Sequence, residues 1–199
     1  MSNVFEFIAE SRAGAGSAAA KAVRRQGKVP AVIYGGEMAP AMLTLDHNEV
    51  LKHLAHEAVY SHVLDVKVDG KTEKAVLKHI QRHPAKPQVL HMDFMRVDDS
   101  HKLKVHVPLH FINEATSIGV KKGGVITHSM VDVEILCMPS ALPEFIEVDL
   151  ASADIGAIIH LSDLALPAGV EIPALSHGAE HDHPVVQVVK GRGAEEAAE

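Results

Sequence analysis

Short runs of alternating apolar and polar residues, broken by Gly, Pro and Asp, constrain this chain more than any other feature. Lys102 to Val107 alternates, as do Val131 to Leu136 and Phe145 to Leu150, and Ile158 to Leu161 and Val185 to Val189 complete the set. Side chains on a strand point to opposite faces in turn, so such runs predict strands with one face buried. Their rhythm is that of an antiparallel sandwich or barrel-like domain. Ser152 to Asp163 has room for a short helical turn, and Gly191 to Glu199, rich in Ala and Glu, reads as a disordered tail.

Upstream, the punctuation differs. Ser17 is expected to N-cap a helix through Ala18 to Arg25, with Gly27 as the residue that ends it. Val29 to Tyr34 reads as a buried strand. Asp46-His47-Asn48-Glu49 has the form of a capping box, with Val50, Leu51 and Leu54 as the apolar face of its helix. Val63 to Val68 and Glu73 to Ile80 form a hairpin around Asp69-Gly70. Pro84 and Pro87 impose a loop, and Leu90 to Phe94 is a last strand. Asp98-Asp99-Ser100-His101 is a polar joint. The expected organisation is a small β-rich domain with helices over 1–97, an all-β domain over 98–190 and a tail over 191–199, mainly β with a few helices (α+β).

Charge divides along the same line. Residues 1–96 carry 13 Lys and Arg against 10 Asp and Glu, a balance of +3, whereas residues 97–199 carry 6 against 16, a balance of −10. An acidic body repels a polyanion over a screening length of about 8–10 Å. If the partner is a nucleic acid, the first half must present it a local basic face; the plainer alternative is two domains with different surface charge. No run of residues reaches the apolar length of a membrane span, and the N-terminus shows no signal-peptide pattern. The single cysteine, Cys137, permits no internal disulfide, fits a reducing cytoplasm, and sits in a run that reads as core packing.

Candidate chemistry concentrates in two places. In Arg24-Arg25-Gln26-Gly27-Lys28-Val29-Pro30-Ala31-Val32-Ile33-Tyr34-Gly35-Gly36, a basic helix end runs into an apolar strand closed by one of only two tyrosines. Arginines engage phosphates and an aromatic ring packs on a sugar or base, although cations also simply suit a helix C-terminus. In His91-Met92-Asp93-Phe94, His91 and Asp93 share one face of a strand. They form a hydrogen-bonding patch for RNA, a catalytic dyad that lacks a nearby nucleophile or metal, or a polar face that keeps the strand soluble. His177, His181 and His183 are spaced as zinc ligands can be, but they lie in a Gly/Ala/Pro-bounded stretch that reads as a solvated loop. Gly35-Gly36 and Gly123-Gly124 lack the context of a phosphate-binding loop and read as turns.

Taken together these pieces resemble a known family: the bacterial large-subunit ribosomal proteins that bind 5S rRNA, in the long two-domain form of the general stress protein Ctc type. The resemblance rests on Arg24 to Gly36, Gln81-Arg82-His83-Pro84 and His91 to Phe94. In the second half it rests on Val107-Pro108-Leu109, Gly119 to Val125, Pro143 to Asp149 and Leu164 to Val170, in order over residues 4–190. It implies a β-barrel-like first domain docked on the loop E region of 5S rRNA, an irregular helix whose widened minor groove suits shape and 2′-hydroxyl readout. By motif, Arg12, Arg24, Arg25, Tyr34, Gln81, His91 and Asp93 would contact the RNA. The uncharged stretch Ala13 to Ala20 departs from more basic relatives. The resemblance further implies a cytoplasmic, non-enzymatic ribosomal constituent, monomeric off the ribosome. It would have no cofactor beyond magnesium ions belonging to the RNA, no membrane partner, and neighbouring large-subunit components as further partners. The rivals are a metal-dependent hydrolase using the C-terminal histidines and a stress-response protein acting off the ribosome.

Overall fold

The computed structural model describes residues 5–98, 101–176 and 178–191. Asp99 and Ser100 of the polar joint, His177 and the tail from 192 onward lie outside them. Contacts divide the chain into two units: one of residues up to Val105 together with Met138–Leu142, the other of His106–Cys137 and the chain from Pro143.

The first unit is a closed six-stranded barrel in the order β1-β3-β2-β6-β5-β4. Its strands are β1 (Glu6–Ser11), β2 (Lys28–Tyr34), β3 (Ala41–Asp46), β4 (Leu64–Val68), β5 (Lys71–Arg82) and β6 (Val89–Arg96). Parallel pairing of β1 with β4 closes the ring, and β2 also runs parallel to β6. Closure leaves no edge strand, and Phe7, Val29, Ile33, Leu43, Leu45, Leu64, Met92 and Phe94 fill the interior. The β4–β5 turn at Asp69-Gly70 has positive φ at both residues, 49° and 87°, as a two-residue hairpin of this hand requires. Strands β1 and β3 were not anticipated. Both alternate (Phe7 and Ala9 inward, then Leu43 and Leu45), but each is only six residues long and neither is flagged by a hairpin turn.

Helix α1 (Ser17–Arg25) follows β1, with one correction. Its N-cap is Gly16, not Ser17, and no side chain caps it. Gly16 sits at φ 89°, a conformation glycine adopts without strain, and its carbonyl accepts the Ala20 amide at 3.1 Å. Gly27, at φ 75°, ends the helix as expected. Helix α2 (His47–His53) is capped by Asp46, whose Oδ1 accepts the amides of Asn48 and Glu49 at 2.8 and 3.2 Å. A single turn, α3 (Ala58–Ser61), completes the helices of this unit.

Strand β7 (Leu103–Ile112) starts in the first unit. There Leu103 and Val105 join Val76, Met95 and Leu142 in a satellite cluster outside the barrel core. In the second unit a four-stranded sheet has the order β10-β7-β9-β12 and a three-stranded sheet the order β11-β13-β8. The strands are β8 (Gly124–His128), β9 (Asp132–Cys137), β10 (Ile146–Asp149), β11 (Ile158–His160), β12 (Val170–Glu171) and β13 (Pro184–Lys190), with single-turn helices α4 (Ile118–Lys121) and α5 (Pro173–Ser176). The β10–β7 pairing is parallel, so this unit is not purely antiparallel. Cys137 is buried, and desolvation raises its thiol pKa. A short 3₁₀ turn at Leu161–Asp163 falls in the stretch expected to hold one.

Candidate RNA-binding face

Strands β2, β6 and β5 are neighbours, and their register gathers the predicted residues. Val32 pairs with Asp93, Tyr34 with Met95, and His91 with Gln81. Because Met92 and Phe94 point into the barrel, His91 and Asp93 point out. Tyr34, His91, Asp93 and Gln81 therefore share the outer surface of three adjacent strands.

His91 Nδ1 lies 2.6 Å from Asp93 Oδ1, with the two side chains 30% and 28% exposed. A carboxylate only accepts, so the imidazole donates from Nδ1, and in the tautomer that carries its one proton there Nε2 is an acceptor. Tyr34 is half-buried, and its phenol pKa is raised, first by burial and then by the negative charge of Asp93. The hydroxyl consequently stays protonated at neutral pH and can donate. One patch thus offers a donor, an acceptor and a carboxylate.

The arginines have different roles. Arg24 Nε donates to the carbonyl of Leu90 at 2.8 Å, which pins the end of α1 beside His91. The next residue, Arg25, is exposed. Arg12 follows β1, two strands from β2. Its Nε donates to Leu43 O at 3.2 Å and its Nη1 to Gly14 O at 2.7 Å, so its guanidinium holds the loop before α1. Gln81 is exposed on β5, just before a turn in which His83 Nδ1 accepts the amides of Ala85 and Lys86.

Two residues that sequence reasoning passed over belong here. His79 is exposed and pairs with Asp93 across β5–β6, on the far side of Asp93 from Val32. A bulge between Leu77 and His79 shifts the β5 register, so spacing alone could not place it. Arg96 is buried at the end of β6. Its Nε donates to Glu73 at 2.7 Å, and its Nη1 lies 3.3 Å from each of the carbonyls of Gly35, Met38 and Ala39. It fixes the loop that leaves Tyr34. Gly35, at φ 95°, turns the chain there as expected.

Among the described residues no group of three or more His, Cys, Asp or Glu is placed to hold a metal ion. His181 and His183 stand edge to face with ring centres 6.3 Å apart, and His177 lies outside the described residues. Among the described residues no helix is long and apolar enough to cross a membrane.

The fold and this face define a class: two-unit β proteins in which a closed barrel carries a polar histidine–carboxylate surface flanked by a basic helix end. The family model of the Ribosomal L25p family matches residues 8–94, and that of the ribosomal protein TL5 C-terminal domain matches residues 102–192. A protein of Methylococcus capsulatus named large ribosomal subunit protein bL25 is 60% identical over 191 residues, covering 96% of this chain and 95% of its own length. Proteins of the same name from Cellvibrio japonicus and Hahella chejuensis are 52% and 50% identical, the former over the full length of both chains and the latter over 98% of this chain and 94% of its own. The chain belongs to the ribosomal L25p family, in its long two-domain form. These relatives lend no support to the hydrolase or to the stress protein acting off the ribosome.

Proposed function

We propose that this protein is a structural, non-enzymatic constituent of the bacterial large ribosomal subunit, working in the cytoplasm, and that its barrel face binds the loop E region of 5S rRNA. The observation that carries the reading is the juxtaposition of Tyr34, His91 and Asp93 on adjacent strands, with Arg24 pinning the basic end of α1 beside them. Its kinship with large-subunit proteins supplies the setting.

Each group has a task suited to a wide, shallow minor groove. Arg25 is exposed at the helix end and engages phosphate. Tyr34 donates its hydroxyl to a phosphate or sugar oxygen while its ring packs on the backbone. His91 Nε2 accepts from a 2′-hydroxyl. Asp93 is repelled by phosphate, so it takes a donor such as an amino or hydroxyl group, and it fixes the imidazole as it does so. Gln81 can donate and accept at the margin, and Arg12 shapes the approach from the loop it holds. Magnesium ions enter only as part of the RNA.

Binding of the full chain to 5S rRNA fragments across a salt series tests this. Log affinity should fall linearly with log salt. Arg25→Ala should weaken binding and flatten the slope by about 0.7–0.9, the loss of one phosphate contact. Asp93→Ala should weaken binding by about tenfold with the slope unchanged, as expected for a specifying contact of roughly 1–3 kcal/mol. Equal affinity for a loop E fragment and a plain duplex would sink the proposal.

A further inference from the structure

The second unit carries an open groove of about 410 Å³ that the RNA reading leaves unused. Its apolar lining includes Ile112, Val148, Ile159 and Leu164, and its rim includes Glu147, Asp149 and Asp163; among the described residues no Lys or Arg lines it. Strand β10 pairs with β7 on one side and has no strand partner on the other among the described residues. On β10, Glu147 and Asp149 point to the exposed face and Val148 to the buried one, yet all three line the groove. The groove thus takes in residues of both faces of β10, whose other side carries no strand, and reaches Ile112 of β7, the register partner of Asp149.

Such edges invite another strand, and charge on the edge decides which strands are refused. Here the charge is all negative. Asp149 is oriented by the Asn113 amide at 2.8 Å and the Ala151 amide at 2.9 Å, both on Oδ1, and these bonds hold its carboxyl below the usual range. A second copy of β10 would set carboxylate against carboxylate, and an RNA backbone would meet the same repulsion within a half of the chain whose balance is −10. A strand bearing lysine or arginine on one face and apolar residues on the other meets the opposite situation. Its cations reach Glu147, Asp149 and Asp163, its apolar side chains reach Ile112 and Leu164, and its backbone completes the edge.

We propose that the groove along β10 is a docking site for a basic, extended segment of another protein, added as a strand to the edge of the β10-β7-β9-β12 sheet. This site is independent of the barrel face, and its failure would leave the RNA reading intact.

The test is amide NMR of the full-length protein titrated with an end-blocked peptide in which four lysines alternate with three valines. Shifts should cluster at Glu147–Leu150, Ile159 and Leu164–Ala165. Two controls separate strand addition from charge attraction: the same peptide with its central valine replaced by proline, which removes a backbone donor, and an oligolysine of equal charge. Both should bind about tenfold more weakly. Glu147→Lys combined with Ile112→Ser changes two exposed side chains, and an otherwise unchanged spectrum reports that the unit still folds; it too should lose about tenfold in affinity. Shifts scattered over the acidic surface would overturn the proposal. So would proline-peptide or oligolysine binding as tight as the alternating peptide's, undiminished binding to the double variant, or a short RNA duplex that competes at the same amides.

Discussion

Tyr34 and Arg96 carry most of what single side chains reveal in this protein. Burial and then the Asp93 charge raise the Tyr34 pKa, so its phenol favours the protonated form more in the folded chain than in the unfolded one. Stability from this source is complete below the unfolded phenol pKa of about 10 and is lost as pH rises through the higher folded value. Carbon-detected NMR of labelled tyrosine should show Tyr34 titrating above the ordinary phenol range. Asp93→Asn should lower that value while leaving it raised, because burial is the larger cause; an unchanged value would mean the carboxylate does not act on the ring. Arg96 answers four acceptors from a buried position, Glu73 and three carbonyls of the loop after Tyr34. Arg96→Ala strands them, and urea unfolding should show a loss of about 3 kcal/mol. Neither role was visible in the sequence. Arg96 keeps the inward parity of Met92 and Phe94, but the acceptors that make it a structural plug, Glu73 and the carbonyls of Gly35, Met38 and Ala39, come from far along the chain.

At the scale of elements, legibility tracked local chemistry. The helix ends at Gly27 and Asp46, the Asp69-Gly70 turn and the alternation of the second half all rest on interactions within a few residues, and they were readable. Strands β1 and β3 were not, because their place depends on partners far along the chain: β1 pairs with β3 and β4 to close the ring. The pairing of Gln81 with His91 likewise crosses a bulge that no periodicity announces. Gly123-Gly124 divides in an instructive way. Gly123, at φ 85°, turns the chain as expected, whereas Gly124 already begins β8 and is required for close approach. A Cβ there would lie 2.8 Å from the carbonyl oxygen of Gly119. Gly119 in turn has room for none: its Cβ would stand 2.7 Å from Val188 Cγ1 and 3.1 Å from the backbone of Ala153 and Asp154. Gly119→Ala should cost about 1–3 kcal/mol, the price of overpacking, in thermal or urea unfolding. A neutral result would show that α4 can lift off β13 without loss.

At the scale of the whole molecule, two features were legible from composition and pattern: a small β-rich domain followed by a second β unit, and a chain whose positive balance lies in its first half; that the first domain is barrel-like came from the family resemblance alone. The path of the chain between units was not legible. Residues Met138–Leu142 belong with the barrel, although β9 before them and β10 after them belong to the other unit. Leu142, half-buried, packs with Val76, Leu103 and Val105. Leu142→Ala should therefore destabilise the barrel unit by about 1–2 kcal/mol, a partial-burial share of the usual leucine truncation, read from amide exchange of β5 and β6. An effect confined to β9 and β10 would contradict that assignment.

The same returning segment bears on how the protein is made. Synthesis delivers the chain from its N-terminus, so the six barrel strands are available once Arg96 has emerged, and β7 begins to cover Val76 soon after. Leu142 follows Val105 by about 2–7 s at bacterial elongation rates. Until it arrives, the apolar cluster outside the barrel is incomplete and solvent-facing. By then β7, α4, β8 and β9 have all been made, so finishing the first unit waits on a half-built second one. The nascent chain cannot mature as two beads released in turn, and a pause in translation between β7 and β10 would hold it at its most adhesive stage.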